Sequence, residues 1–467
     1  MSAAAAGAPN GSLFASPRTC GLCQTDLGSS GLVPAGVLPP EVLLVVLRNN
    51  PWWEKESGLC TSCALQFQKA PEELREKVPG YETGACPILP TALRLNALSS
   101  YAGRGVTVAF LDSGFFSHPD LIEPRDRILA YVDVTDAQAR RRDLDTPDDS
   151  SWHGMMTSVV ACGNGRLSDG LYSGLASESK LVLVKVGSAR RIKHDDIRRG
   201  LEWVLANRKR YRIRVVNVSC GGDYEASYLT DELSQAAERL ARAGVLVCAA
   251  AGNLGHHPRH PILPPASAPS VLTVGGLDDK NRLSPWTFEM YHGSYGPTVD
   301  GLQKPEVLAP GIWVAAPILP GTPTAAQAEL LSRLADAPDQ DLRALIEASP
   351  AVDRSLDEAA ALPVQLLRQL VSAKLRDNKV ISGAYKHVDG TSFAAPIVSS
   401  VAAQMLEANP KLRPFEVKSI LVRTAKRLRN VPVDRQGWGI VDARAAVEAA
   451  LAAGAPEGNE TEARAAS

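Results

Sequence analysis

The sequence predicts an α/β chain whose main body is a mostly parallel sheet covered by helices on both faces, with a small cysteine module at the N-terminal side. Three observations carry this. From Gly105 onward, short runs rich in Val and Leu alternate with helical segments of about 10 to 15 residues, which is the pattern of βαβ units. Those runs are predominantly apolar rather than strictly alternating, as strands buried on both faces are. Ahead of them, two Cys-x-x-Cys pairs fall within the first 63 residues, and the βαβ pattern is absent there.

In chain order, residues 1–18 read as a loose leader. Met1-Ser-Ala-Ala-Ala-Ala has neither a basic n-region nor an apolar h-region, so it is not expected to direct export. Residues 19–85 form the cysteine module, and Cys86 to Leu98 reads as a connector. The predicted strands are Val106–Leu111, Leu181–Lys185, Arg214–Val218, Val245–Ala249 and Val271–Val274. Helices are expected between them at His153–Cys162, Asp195–Arg208 and Thr230–Ala243. Gly311–Ile318 reads as a further strand. The segment 321–377 is rich in Ala, Leu, Glu, Gln and Arg and is expected to be a helical insertion. A long helix should run to about Glu407 and another should follow Pro414, so the main body spans 93–453. Residues 454–467 form a loose tail.

Hydrophobic content of 45% with 22% charged residues is ordinary for a globular protein. A net charge of −1 argues against nucleic acid or a membrane surface as partner. The eleven Lys or Arg against three acids between Lys185 and Arg214 are expected to line a solvated helix face. No stretch approaches the ~20 apolar residues of a membrane span. A cytoplasmic location is therefore expected, with the eight cysteines as thiols or metal ligands.

Three local segments carry chemistry: Val-Ala-Phe-Leu-Asp112-Ser-Gly, Ser-Trp-His153-Gly-Met and Gly390-Thr-Ser392-Phe-Ala-Ala-Pro396. A serine hydroxyl is inert at neutral pH unless a base takes its proton and a third group orients that base. Asp112 closes an apolar run and should project at a carboxyl edge of the sheet. His153 stands at a helix start, followed by glycine and small residues. Ser392 is expected just ahead of a helix beginning Phe-Ala-Ala-Pro396, where free N–H groups favour negative charge. His118 reads as structural, and His256, His257 and His260 as a surface loop rather than a metal site.

In these segments and their order the chain resembles the subtilisin-like serine peptidases, the subtilases, from about Leu93 to Ala450. The resemblance implies the subtilisin-like three-layer fold and an endopeptidase acting on protein or peptide substrates. It implies that Asp112, His153 and Ser392 form a triad. It also implies that the Ser392 N–H and the Asn253 side chain, within Ala249-Ala-Ala-Gly252-Asn253, bind the oxyanion. Ser219-Cys220-Gly221-Gly222 resembles the subtilase Ser-x-Gly-Gly strand, which would pair with substrate. With Ala250, Ala251 and Gly252 it would line an open P1 pocket suited to an apolar side chain. Phe393, Ile397 and Met155 depart from the usual residues and are expected to alter packing alone. Subtilases often bind calcium, but no Ca2+ ligand set declares itself in these loops.

The cysteine module has its own reading. Cys20, Cys23, Cys60 and Cys63 can supply four thiolates to a tetrahedral structural Zn2+, with 36 residues between the two pairs. Redox pairs or buried thiols are the alternatives. Cys86, Cys162, Cys220 and Cys248 read as buried thiols. All expected catalytic positions lie outside the module and the insertion, so either is expected to serve targeting, regulation or a protein partner. A binding protein on the same fold, with hydrolysis lost, is the rival reading.

Overall fold

The computed structural model describes residues 88–453 apart from 189, 284–287 and 430. On the N-terminal side it describes 19–20, 22, 32–38, 43, 46, 53–61 and 63–64. The chain divides into two compact units, Met1–Cys86 with Arg282–Thr287, and Pro87–Asn281 with Phe288–Ser467.

The larger unit is built on strands β1 (Thr107–Asp112), β2 (Ile128–Asp133), β3 (Lys180–Lys185), β4 (Ile213–Val218), β5 (Leu246–Ala250), β6 (Leu272–Asp278), β7 (Glu289–Met290), β8 (Gly296–Pro297), β9 (Gln303–Lys304), β10 (Val307–Pro310), β11 (Val314–Pro317) and β12 (Tyr385–Val388). The main sheet runs β10-β6-β5-β4-β1-β3-β2, with β7 on β6 as its antiparallel member. Every other pairing in it is parallel. The sheet is thus mostly parallel, as expected. β1 lies between β3 and β4, so the strand order changes direction at its carboxyl end, where such sheets open a crevice.

Period-two alternation distributes each buried strand over two cores. Val108 and Phe110 of β1 face one core, and Ala109 and Leu111 face the other. The first core is covered by α1 (Ser151–Cys162), α6 (Thr391–Ala408), α7 (Pro414–Thr424) and α8 (Ala443–Ala452). The second is covered by α2 (His194–Tyr211) and α3 (Glu232–Arg242). Helix α6 is buried almost all round, with fifteen of its residues out of solvent, which suits its Ala- and Val-rich composition. The basic stretch near α2 forms a solvated face: Arg198 pairs with Asp195 at 2.6 Å and Glu202 at 2.8 Å, and Arg199 pairs with Asp196.

Between the antiparallel partners β11 and β12 the chain makes its long excursion. It comprises α4 (Pro323–Asp336), short helices Leu342–Glu347 and Arg354–Ala359, and α5 (Val364–Asp377). Thr322 caps α4 by accepting the Ala325 N–H at 3.2 Å, with Pro323 at the first position, where its missing donor costs nothing. These helices enclose their own core, including Leu330, Leu331, Leu334, Leu342, Ile346 and Leu367.

In the smaller unit, Val33 and Leu59 form an antiparallel bridge with N···O distances of 2.7 and 2.9 Å. Leu22, Val46, Trp53 and Leu59 are buried. No described helix of the chain is long and apolar enough to cross a membrane.

Candidate active site

Asp112 is the last residue of β1 and is fully buried. A buried carboxylate requires donors, and three surround it. His153 Nδ1 lies 2.7 Å from Oδ1, the Ser113 N–H donates to Oδ1 at 2.8 Å, and Thr157 Oγ1 lies 3.1 Å from Oδ2. Helix α1 delivers both His153 and Thr157, spaced four residues apart and so on one face. The glycine after His153 has a steric cause. A Cβ at Gly154 would meet the Gly114 carbonyl oxygen at 2.1 Å and Asp112 Cβ at 2.9 Å, so α1 could not approach β1 with a side chain there.

Burial of the His153 ring opposes its protonation, but the Asp112 carboxylate outweighs this and raises its pKa above the ordinary histidine value. A bond from Nδ1–H to Asp112 fixes the tautomer and leaves Nε2 as the acceptor. Phe393 sits with its ring centroid 5.6 Å from that of His153 and is buried, as are Ile397 and Met155.

The Ser392 segment differs from expectation in one respect. Helix α6 begins at Thr391, so Ser392 lies in its first turn and Pro396 lies one turn inside rather than at the start. Proline there cannot donate to the carbonyl four residues back, which is that of Ser392. The Ser219 hydroxyl donates to it instead, at 2.8 Å. Ser219 is held in turn by Asn217 at 2.9 Å, whose amide oxygen accepts from Ser399 of α6. Ser392 Oγ donates to the Ser219 carbonyl at 3.2 Å, and among the described residues no hydrogen bond joins it to His153. Catalytic hydrogen bonds are often unformed without substrate.

Asn253 lies beside this segment after β5. Its Oδ1 accepts from the Thr391 N–H at 3.0 Å and the Thr391 hydroxyl at 2.9 Å. With Oδ1 occupied, Nδ2 is the end left to donate outward. The Ser392 N–H, in the first turn of α6, has no intrahelical acceptor. Two donors and a helix N-terminus therefore converge beside Oγ. Thr391 and Thr157 hold the site together although sequence reading gave them no role; the signal for Thr391 was its place between Gly390 and Ser392.

A cavity of about 210 Å³ opens at Ser392 and Asn253. Ser219, Cys220, Gly221, Gly222, Ala250, Ala251 and Gly252 all line it, and Leu254, Pro261 and Leu263 add apolar wall. Its lining includes no charged side chain. Residues 219–222 leave the sheet after β4, so their backbone is not part of a strand as anticipated. Cys220 is half-buried rather than buried, yet burial raises its thiol as it does those of Cys162 and Cys248, which are pushed up to about 12. Cys86 lies outside the described residues.

Of the other histidines, His118 is buried and accepts the Asp120 N–H at 3.2 Å, closing the turn ahead of Pro119–Ile122. His256 stacks on His292 and His260 on Tyr295. In the smaller unit, the sulfurs of Cys20, Cys60 and Cys63 lie within 4.8 Å of one another. The Cys60 N–H donates to Cys20 Sγ at 3.2 Å and the Cys63 N–H to Cys60 Sγ at 3.3 Å. Such bonds favour thiolates gathered around a cation, and the donor set suits zinc. Cys23 lies outside the described residues.

Residues 103–439 match the Subtilase family. The chain is 30% identical over 356 residues to the serine protease AprX of Bacillus subtilis (strain 168), covering 74% of this chain and 66% of AprX. It is 25% identical over 390 residues to the extracellular basic protease of Dichelobacter nodosus, covering 75% of this chain and 52% of that one. The chain thus spans between half and two thirds of these relatives. Fervidolysin from Fervidobacterium pennivorans, a keratinolytic enzyme related to subtilisin, superposes with a TM-score of 0.52 at 21% identity, over 79% of this chain and 46% of that structure. That likeness shows a shared fold.

Proposed function

The chain belongs to the subtilase family, and we propose on that premise that it is an intracellular serine endopeptidase in which Asp112, His153 and Ser392 act as a triad. The observation that carries this is the 2.7 Å bond from His153 to a buried carboxylate, beside a serine in the first turn of a helix. When substrate enters, rotation about χ1 moves Ser392 Oγ from the Ser219 carbonyl to His153 Nε2. Oγ attacks the scissile carbonyl as His153 takes its proton, and Asp112 stabilises the imidazolium. The Ser392 N–H and Asn253 Nδ2 receive the oxyanion, donating most strongly as charge develops. His153 then protonates the leaving amine, and the acyl-enzyme is hydrolysed by water that His153 deprotonates. The small, uncharged cavity beside Ser392 favours an apolar P1 residue.

A fluorophosphonate probe tests the assignment. Labelling of the purified chain that disappears in Ser392→Ala supports it, whereas equal labelling of the two proteins places the nucleophile elsewhere. Peptides with Leu or Phe at P1 should be cleaved in preference to those with Lys or Glu.

Cys20, Cys60 and Cys63, with Cys23 as the fourth thiolate, would hold a structural zinc ion that ties the small unit together. Metal analysis should find one zinc per chain, lost on Cys60→Ser. A reducing compartment suits these ligands and the free thiols of Cys162, Cys220 and Cys248.

A further inference from the structure

The excursion between β11 and β12 rejoins the main body at Lys379, and there it touches the segment that carries the nucleophile. Lys379 adopts a left-handed conformation at φ 58°, and Trp313, near the other end of the excursion, does the same at φ 60°. Neither is glycine, and such backbone is held only where its surroundings impose it. At Lys379 the surroundings are visible. Its carbonyl accepts the His387 N–H of β12 at 2.9 Å, and Val380 bridges Lys386. With its backbone so anchored, its ammonium reaches forward and hydrogen-bonds Asp389 Oδ2.

Asp389 stands three residues before Ser392. Its other oxygen, Oδ1, is buried with no hydrogen-bond partner among the described residues. The Asp389 side chain is 27% open to solvent and that of Lys379 40%, and with Oδ1 unpaired among the described residues, Oδ2 is the oxygen through which the carboxylate is held. Of the neighbouring groups, His387 does not replace Lys379 as the partner of Asp389, which in turn favours the charged form of Lys386. Burial first and Lys379 second hold His387 neutral, its pKa pushed down to about 4, and the same two causes lower Lys386. Immediately after Asp389 comes Gly390 at φ 144°, a conformation closed to other residues, with its N–H on the Gly311 carbonyl at 2.7 Å. Next is Thr391, which orients Asn253. A displacement of Asp389 is thus transmitted through two fixed residues to the nucleophile and to both oxyanion donors.

We infer that Lys379 is a positioning residue for Ser392: its ammonium clamps Asp389 and thereby sets the loop that carries the nucleophile. The helical excursion then has a direct mechanical link to catalysis although none of its helices reaches the site. The inference rests on the assignment of Ser392 as nucleophile.

The test is Lys379→Met in the full chain, with kcat for a short peptide normalised to active sites titrated by a fluorophosphonate. Misplacement of reacting groups predicts a fall in kcat of about 10- to 100-fold with KM within two-fold. Lys379→Arg, whose guanidinium can also meet Asp389, should recover most of the loss. Adding Asp389→Asn to Lys379→Met should cost little more, because both changes remove one interaction. A normalised kcat equal to wild type, even with a lowered melting temperature, would overturn the inference and leave Lys379 a purely structural residue. Failure of Lys379→Arg to recover activity while the chain stays folded would do the same. A wild-type chain that neither labels at Ser392 nor cleaves peptide would remove the assignment of the nucleophile, and this inference with it.

Discussion

The crevice at the carboxyl end of β1 and the helical excursion between β11 and β12 solve opposite problems. At the crevice, side chains from β1, α1, α6 and the segment after β5 are fixed largely by polar bonds to partners far away in sequence; Asp112 gathers His153 and Thr157, 41 and 45 residues on, besides the adjacent Ser113 N–H. The excursion is held by its own apolar core and by local caps such as Asp353, which accepts from Ser355 and Leu356 and pairs with Lys374 at 2.7 Å. A polar site needs a rigid frame to place its groups within tenths of an ångström. A helical cluster needs only enough buried leucine, and it can be added to a frame without disturbing it. The difference predicts that the crevice is sensitive in rate and the excursion in stability.

The largest expected effect is on rate. Asp112→Asn keeps the shape of the buried site but loses the charge that holds the His153 tautomer, so kcat should fall by about 10⁴-fold with the melting temperature nearly unchanged. Stopped assays with purified enzyme, alongside thermal melts, measure both. A collapse in melting temperature would mean that Asp112 is chiefly structural. Asn253→Ala should lower kcat by about 10²–10³-fold with little change in KM, the magnitude established for the corresponding amide in subtilisin itself. A change confined to KM would place Asn253 in ground-state binding instead.

Leu331→Ala in the excursion should behave in the reverse way. The side chain is fully buried, so its loss should cost about 2–5 kcal/mol in unfolding while kcat below the transition stays within two-fold. A denaturant titration followed by far-UV circular dichroism reads the first quantity and a peptide assay the second. Equal losses in both would erase the contrast between the regions.

The smallest effects come from pH, and the two regions occupy different windows. His153 must be neutral to act as base, and its pKa is raised by Asp112 against the opposing effect of burial. The acid limb of kcat/KM should therefore lie above pH 6.5, and the stability contributed by this pair runs the other way. It is present below pH 6.5 and is lost as pH rises through the raised value. Asp353 is displaced in the opposite direction: burial opposes its charge, but the Lys374, Gln327 and Ser355 contacts bring its pKa down to about 2. Its contribution is complete above about pH 4 and disappears as pH falls toward 2. Asp353→Asn should flatten that acid dependence of the excursion and leave the His153 limb in place.

The sheet was legible because strands buried on both faces must be predominantly apolar, a property written in Val108–Leu111 and in Val215, Val216 and Val218 around the buried Asn217. Asp112, His153 and Ser392 could be singled out because each sits in a local segment shaped by its surroundings, such as Gly154, whose missing Cβ lets α1 reach β1. The start of α6 was not legible. Pro396 reads locally as the first turn of a helix, yet the helix begins at Thr391 because the Ser219 hydroxyl, 173 residues away, takes the carbonyl that proline leaves free. The orientation of Asn253 likewise depends on Thr391, 138 residues on, and no local pattern announces such a bond. Hydropathy period was enough to name the layers, and the chemistry was proposed from local segments through their resemblance to the subtilases. Which hydroxyl meets which carbonyl was decided only when the packed sheet brought those distant segments within hydrogen-bonding distance.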